Sequence, residues 1–168
     1  MAFVKENLNS FIFICLGNIC RSPIAEGYFR SLTQGKNAIN GISVGSGGLA
    51  TSNDGKPADP RAITLASNYG FDLSHHRARV IEEYDLERYH YFVCMDEDTQ
   101  KNLKRKFPSL SNSRLPLLLD YTSDYSNVSV PDPFLGNDKD FENTMSFIRH
   151  GIHGMIQNII SNNQNADA

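Results

Sequence analysis

Three features of this chain predict an α/β fold in three layers, a parallel sheet with helices on both faces. Apolar runs of strand length recur, at residues 11–15, 39–44, 91–95 and 115–119. Between them lie segments whose apolar residues step by three and four. Two of those segments open on a capping residue followed by proline, Ser22-Pro23 and Asp59-Pro60, a pairing that starts helices. Strands that alternate with helices argue for a parallel sheet, since each crossover returns through a helix covering one face. Right-handed crossovers then set every strand-to-helix loop on one edge, where open α/β sheets bind ligands.

Each element has its own warrant. Phe11-Ile12-Phe13-Ile14-Cys15 reads as a buried strand. Ser22 is the predicted N-cap of the next helix, Ala25, Tyr28, Phe29 and Leu32 its apolar face, and Gly35 its stop. Ile39 to Val44 is a second strand, and the Gly-, Ser- and Asn-rich stretch from Gly45 to Pro57 reads as a loop. Asp59-Pro60 opens a helix that ends near Gly70, and residues 80–88 read as a short helix. Tyr91 to Met95 is the third strand. Asp96-Glu97-Asp98 then starts a helix with a basic end at Lys101, Lys104, Arg105 and Lys106, as the helix dipole prefers. Leu115 to Leu119 is the fourth apolar run, followed by a loop over residues 120–137. Phe141, Met145, Ile148, Ile152, Met155, Ile156 and Ile159 mark the last helix, and the polar tail from Asn162 is expected to fray.

Composition narrows the function. A chain of 168 residues suits one domain, residues 1–168, with a sizeable core. A net charge of -3 argues against nucleic-acid and anionic-membrane partners, and the basic residues 101–106 read as a solvated helix face. There is no apolar run long enough to span a bilayer and no secretory-signal pattern at the start. Three cysteines, Cys15, Cys20 and Cys94, are too few for a disulfide scaffold, so a reducing cytoplasm is the expected location.

The chemistry lies in Cys15-Leu16-Gly17-Asn18-Ile19-Cys20-Arg21-Ser22-Pro23, the loop after the first strand. A phosphate dianion needs donors on several oxygens. Backbone N–H groups from Leu16 to Arg21, including those of Gly17, Asn18, Ile19 and Cys20, supply them. Arg21 adds a planar fork for two oxygens at once. Cys15 would sit at the centre of this positive potential, which favours its thiolate, with Ser22 donating to the sulfur. Expelling an alkoxide or phenoxide then needs a proton donor. Asp132, in Val130-Pro131-Asp132-Pro133-Phe134, is the candidate: flanking prolines stiffen its loop and remove local donors.

Ile14-Cys15-Leu16-Gly17-Asn18-Ile19-Cys20-Arg21-Ser22-Pro23 closely resembles the signature of the low-molecular-weight protein tyrosine phosphatases. The resemblance continues through Ala58-Asp59-Pro60-Arg61, His76-Arg77-Ala78-Arg79, Cys94-Met95-Asp96-Glu97 and Asp132-Pro133-Phe134, in order along nearly the whole chain. It implies a four-stranded parallel sheet in the order 2-1-3-4. It also implies hydrolysis of phosphotyrosine and aryl phosphates through a cysteinyl-phosphate, with no metal and no cofactor. By this resemblance Cys15 is the nucleophile, Arg21 the transition-state clamp, and Asp132 the acid and then the base. Asn18, Ser22, Ser46 and His76 would support the loop. Cys20 would trap an oxidised Cys15 as a disulfide. Phosphate, sulfate or vanadate would occupy the site, and the protein would be a monomer or weak dimer. Phe134 and Leu135 stand where many members carry two aromatics, and Leu49 lies in a loop that often carries one. These three are the expected pocket walls, and they put peptide selectivity in question.

Other readings compete. An arsenate reductase on the same fold needs two relay cysteines, and residues 80–100 hold only Cys94. A phosphate-binding protein without turnover would need no proton donor. Gly45-Ser46-Gly47-Gly48 imitates a dinucleotide fingerprint, but no helix pattern follows it. His150 and His153 have a zinc-like spacing without carboxylate or thiol partners and read as surface histidines.

Overall fold

The computed structural model describes residues 9–35, 39 and 41–166. Its elements are β1 (Ser10–Cys15), α1 (Arg21–Thr33), β2 (Ser43–Gly48), α2 (Pro60–Asn68), α3 (Asp85–Arg88), β3 (Tyr91–Cys94), α4 (Glu97–Lys106) and α5 (Asp138–Ala166). The sheet is parallel and three-stranded, in the order β2-β1-β3. β1 is central and buried at every position. Its side chains alternate between two core layers, as the period of a strand requires. Phe11, Phe13 and Cys15 pack with Phe29 of α1, Ala62 of α2, and Met145, Ile148 and Ile152 of α5. Ile12 and Ile14 pack on the other face with Phe92, Leu103 of α4, Phe107 and Leu117.

The expected fourth strand is not formed among the described residues. Leu115 to Leu119 reaches the right place, since the N–H of Cys94 donates to the Pro116 carbonyl at 2.9 Å and Leu117 makes one bridge to Cys94. The ladder stops there for two reasons. Pro116 has no N–H to give, and the chain turns at once into the 3-10 segment Leu118–Tyr121, a turn held by Asp120 Oδ2 on the N–H of Leu117 at 3.0 Å.

The second strand is also displaced from its expected place. It occupies Ser43–Gly48, largely within the stretch read as a loop, while residue 40 of the expected strand lies outside the described residues. The glycines misled because they serve close approach. A Cβ on Gly48 would meet the Leu16 carbonyl oxygen at 2.9 Å, and one on Gly47 would collide with Ile81.

Smaller differences follow from local bonding. Helix α1 begins at Arg21, with Cys20 at the cap position, so Ser22 is not the N-cap; its hydroxyl is used elsewhere. Asp59 and Asp96 do cap, accepting from the N–H of Arg61 at 2.9 Å and of Thr99 at 2.6 Å. Of the helix expected at 80–88 only Asp85–Arg88 forms, because Val80 bridges to Gly48 at the sheet edge. The tail expected to fray continues α5 through Ala166.

Candidate active site

β1 ends at Cys15 and α1 begins at Arg21, so the loop between them sits at the C-terminal edge of the sheet. Asn18 turns the chain there with φ of 53°, a left-handed conformation that Asn tolerates better than most residues. Its N–H points back at Cys15 Sγ, 3.3 Å away. Among the described residues none accepts a hydrogen bond from the N–H of Leu16, Gly17, Ile19 or Cys20. The loop is thus a nest of free donors around a sulfur.

A buried polar network fixes that shape. Asn18 Nδ2 donates to Ser22 Oγ at 2.8 Å and to Ser46 Oγ at 3.1 Å. Asn18 Oδ1 accepts from the N–H of Arg79 at 3.0 Å, and its carbonyl lies 2.7 Å from His76 Nε2. Ser46 Oγ in turn donates to Glu26, which also holds Arg30. Ser22 Oγ lies 2.9 Å from Cys15 Sγ. That hydroxyl already accepts from Asn18, so its own proton goes to the sulfur or to the more distant Gly47 carbonyl at 3.5 Å, and the sulfur is the nearer acceptor. The four expected support residues therefore converge on the loop, and it is His76 rather than His75 that reaches it.

Arg21 is charged yet only 4% exposed. Such a group must be paired, and it is. Nη1 donates to Asp96 Oδ2 at 2.5 Å and to the Val130 carbonyl at 3.1 Å, and Nη2 lies 3.4 Å from Asp132 Oδ2. Asp96 is a functional residue that the sequence reading missed. The sequence showed it as a helix cap and within Cys94-Met95-Asp96-Glu97, with no role assigned, and its second oxygen is what pairs with Arg21. Against burial, which would raise it, the N–H of Thr99 and then Arg21 hold its carboxyl below the ordinary range.

The cleft above the loop has a volume of about 280 Å³. Cys15, Cys20, Arg21 and Asp132 line it, with walls of Leu16, Ile19, Ala50, Ser52, Asn53 and Phe134. Two expected wall residues are elsewhere. Leu49 follows β2 and packs against the Ile12–Ile14 layer, and Leu135 is 95% exposed, turned away from the cleft beside Phe134. Leu16 and Asn53 take their place; an exposed Leu in the loop itself was the available signal.

Cys20 is buried beside the cleft. Burial, and then the negative charges of Asp59, Cys15 and Asp132, push its thiol up, so it stays protonated at neutral pH. Cys94 is buried in the opposite core layer from Cys15 and Cys20, which does not favour the arsenate reductase alternative. His150 faces Asp124 at 3.3 Å and His153 faces the Tyr28 hydroxyl at 2.9 Å.

A thiol in a ring of amides, with a buried arginine and a carboxyl beside it, defines the class: an α/β protein shaped to hold a phosphate monoester against a cysteine. The sequence model described as low molecular weight phosphotyrosine protein phosphatase matches residues 10–165. The enzyme of that name from Sus scrofa is 38% identical over 139 residues, 82% of this chain and 87% of its own length. The low molecular weight protein-tyrosine-phosphatase YfkJ of Bacillus subtilis is 32% identical over 151 residues, 89% of this chain and 95% of its own. The crystal structure of YfkJ superposes with a TM-score of 0.84 at 30% identity, covering 94% of this chain and 98% of that one. The chain belongs to the low molecular weight phosphotyrosine protein phosphatase family and is a protein tyrosine phosphatase. Among the described residues no helix is long and apolar enough to cross a membrane.

Proposed function

We propose that Cys15, Arg21 and Asp132 carry out phosphotyrosine hydrolysis in two displacements. The Cys15 thiolate attacks phosphorus, the bond to the tyrosyl oxygen breaks, and the carboxyl proton of Asp132 passes to the leaving oxygen. The Asp132 carboxylate then takes a proton from water, which attacks the cysteinyl-phosphate and breaks the S–P bond. The loop amides from Leu16 to Arg21 and the Arg21 fork hold the equatorial oxygens through both steps. One observation supports this most: Cys15 Sγ lies 2.9 Å from Ser22 Oγ and 3.3 Å from the Asn18 nitrogen, inside a loop where the N–H groups of Leu16, Gly17, Ile19 and Cys20 have no acceptor among the described residues. The site calls for no metal, since Arg21 and the amides supply the positive charge.

Substrates in this reading are a phosphotyrosine protein or a small aryl phosphate, with phosphate, sulfate or vanadate as competing ligands. Phe134, Leu16 and Asn53 line the cleft in which the substrate ring would lie. A single domain acting in the cytoplasm as a monomer or weak dimer fits a working thiol and the modest negative charge. Cys20, in the same cleft, would capture an oxidised Cys15 as a disulfide. Turnover of an aryl phosphate by Cys15→Ser tests the nucleophile: the variant is expected to lose measurable turnover while still binding phosphate. Robust turnover would reject the assignment.

A further inference from the structure

Asp132 is anchored differently on its two sides. Upstream, the Val130 N–H donates to the Met95 carbonyl at 2.7 Å, the Val130 carbonyl accepts from Arg21, and the Pro131 carbonyl accepts from Thr144 at 3.0 Å. Downstream, the chain makes a turn closed by Gly136 N–H on the Pro133 carbonyl at 2.9 Å. Past the buried Pro133 the side chains of that turn hold little: Phe134 is 48% exposed and Leu135 is 95% exposed. What grips it is Arg61. Its Nη1 donates to the Gly136 carbonyl at 2.8 Å and its Nη2 to the Phe134 carbonyl at 2.9 Å.

Arg61 is itself fixed. Asp59 Oδ1 accepts from its Nε at 3.0 Å, Asp59 Oδ2 accepts from its Nη2 at 2.9 Å, and the guanidinium lies 4.5 Å over the Phe141 ring. Asp59 is nearly buried, and its backbone N–H donates to the carbonyl of Ile19, inside the phosphate loop, at 2.9 Å. A continuous chain of contacts therefore runs from the nucleophile's loop through Ile19, Asp59 and Arg61 to the carbonyls just past Asp132.

We propose that Arg61 is a positioning residue for proton transfer: braced by Asp59, it sets the distance between the phosphate loop and the Asp132 loop. This rests on Asp132 being the proton donor. Arginine suits the role and lysine does not, because the brace needs donors aimed in one plane at a carboxylate and at two carbonyls. A carboxyl that has drifted by about 1 Å loses on the order of 10- to 100-fold in proton transfer, whereas phosphate binding, held by the other loop, is untouched.

The test measures kcat for aryl phosphates with good and with poor leaving groups, together with inhibition by vanadate. The proteins are wild type, Arg61→Ala, Arg61→Lys, Asp132→Asn and the doubles of each Arg61 variant with Asp132→Asn. The expected result is a loss of roughly 10-fold or more on the poor leaving group and under about 3-fold on the good one for both Arg61 variants. The vanadate inhibition constant should not change, and the Arg61 effect should vanish in the Asp132→Asn background. Equal losses on both leaving groups, or the same loss with Asn at 132, would overturn the proposal and leave Arg61 as a fold contact. If Asp132→Asn shows no leaving-group dependence, the acid assignment has failed, and the brace with it, a result distinct from the other two. Arg61→Lys keeps a cation over Phe141, so it is the variant to read if Arg61→Ala does not fold.

Discussion

The loop that carries Cys15 and the loop that carries Asp132 do opposite jobs and are built in opposite ways. Most of the loop from Cys15 to Ser22 is buried, Asn18 and Ser22 fully so, while the Leu16 side chain is exposed. The loop's shape is fixed from several sides by Ser46, His76, Arg79 and Glu26. Asp132 is half exposed, and among the described residues its close partners are Arg21 and the N–H of Phe134, the latter at 3.2 Å. Donors that stabilise a transition state must be in place before it forms, so their loop has to be rigid. A group that gives a proton and then takes one must face solvent and the leaving group in turn. The contrast predicts that substitutions in the first loop damage fold and binding together, and that substitutions in the second damage proton transfer alone.

Asp132→Asn is the sharpest way to break that contrast and carries the largest expected effect. Turnover of aryl phosphates with poor leaving groups should fall about 100- to 10,000-fold, while those with good leaving groups should fall far less. Thermal stability should stay within roughly 0.5 kcal/mol of wild type, as for most exposed positions. Losses of the same size on both substrates would show that Asp132 does not protonate the leaving group.

The two loops also differed in how far they could be read beforehand. The phosphate loop was legible because its requirements are local: a strand, a Cys, a Gly, an Asn that accepts a left-handed turn and an Arg, all within a few residues. Its supports Ser46, buried, and His76, half-buried, come from distant segments, and only resemblance to a family named them. Asp132 was visible through its flanking prolines; Arg61 and Asp96 stood within quoted motifs but without a role, since what matters is which carbonyl or guanidinium each one faces. The pocket walls were the least legible part. Leu49 and Leu135 are apolar and near the motifs in sequence, yet alternation beyond β2 turns one into the core and the turn after Asp132 sends the other to solvent. The same limit hid the failure of the expected fourth strand, where Pro116 ends pairing, and the glycine-built second strand, which Gly47 and Gly48 permit.

Asn18→Ala tests the rigid side. It removes donors to Ser22 and Ser46 and an acceptor for Arg79, all buried or partly so. It also leaves alanine at φ of 53°. Unsatisfied buried partners cost about 1–3 kcal/mol each, so a loss of roughly 2–4 kcal/mol in stability is expected by denaturant titration. Turnover should fall by a similar factor for good and poor leaving groups, with weaker vanadate inhibition. A leaving-group-dependent loss at full stability would mean that this loop, too, governs proton transfer.

The smallest effect separates the braces by pH. Asp59 is held below the ordinary carboxylate value of 3.8, first by its hydrogen bond from the Arg61 side chain. Asp96 is likewise held below 3.8, by Thr99 and Arg21 against burial. A carboxyl depressed in the folded state contributes stability that is complete above its unfolded value and disappears as pH falls through its folded value. Both pairs should therefore be intact above about pH 4 and lost progressively below it. In thermal melts across the acid range, Asp59→Asn and Asp96→Asn should each give a shallower drop in the midpoint than wild type. Asp59→Asn should also bring the leaving-group signature of a loosened Asp132 loop at neutral pH. Asp96→Asn should instead weaken vanadate inhibition, because the partner it loses is Arg21. If the two variants shared one signature, the phosphate loop and the acid loop would be a single cooperative unit rather than two regions joined by a brace.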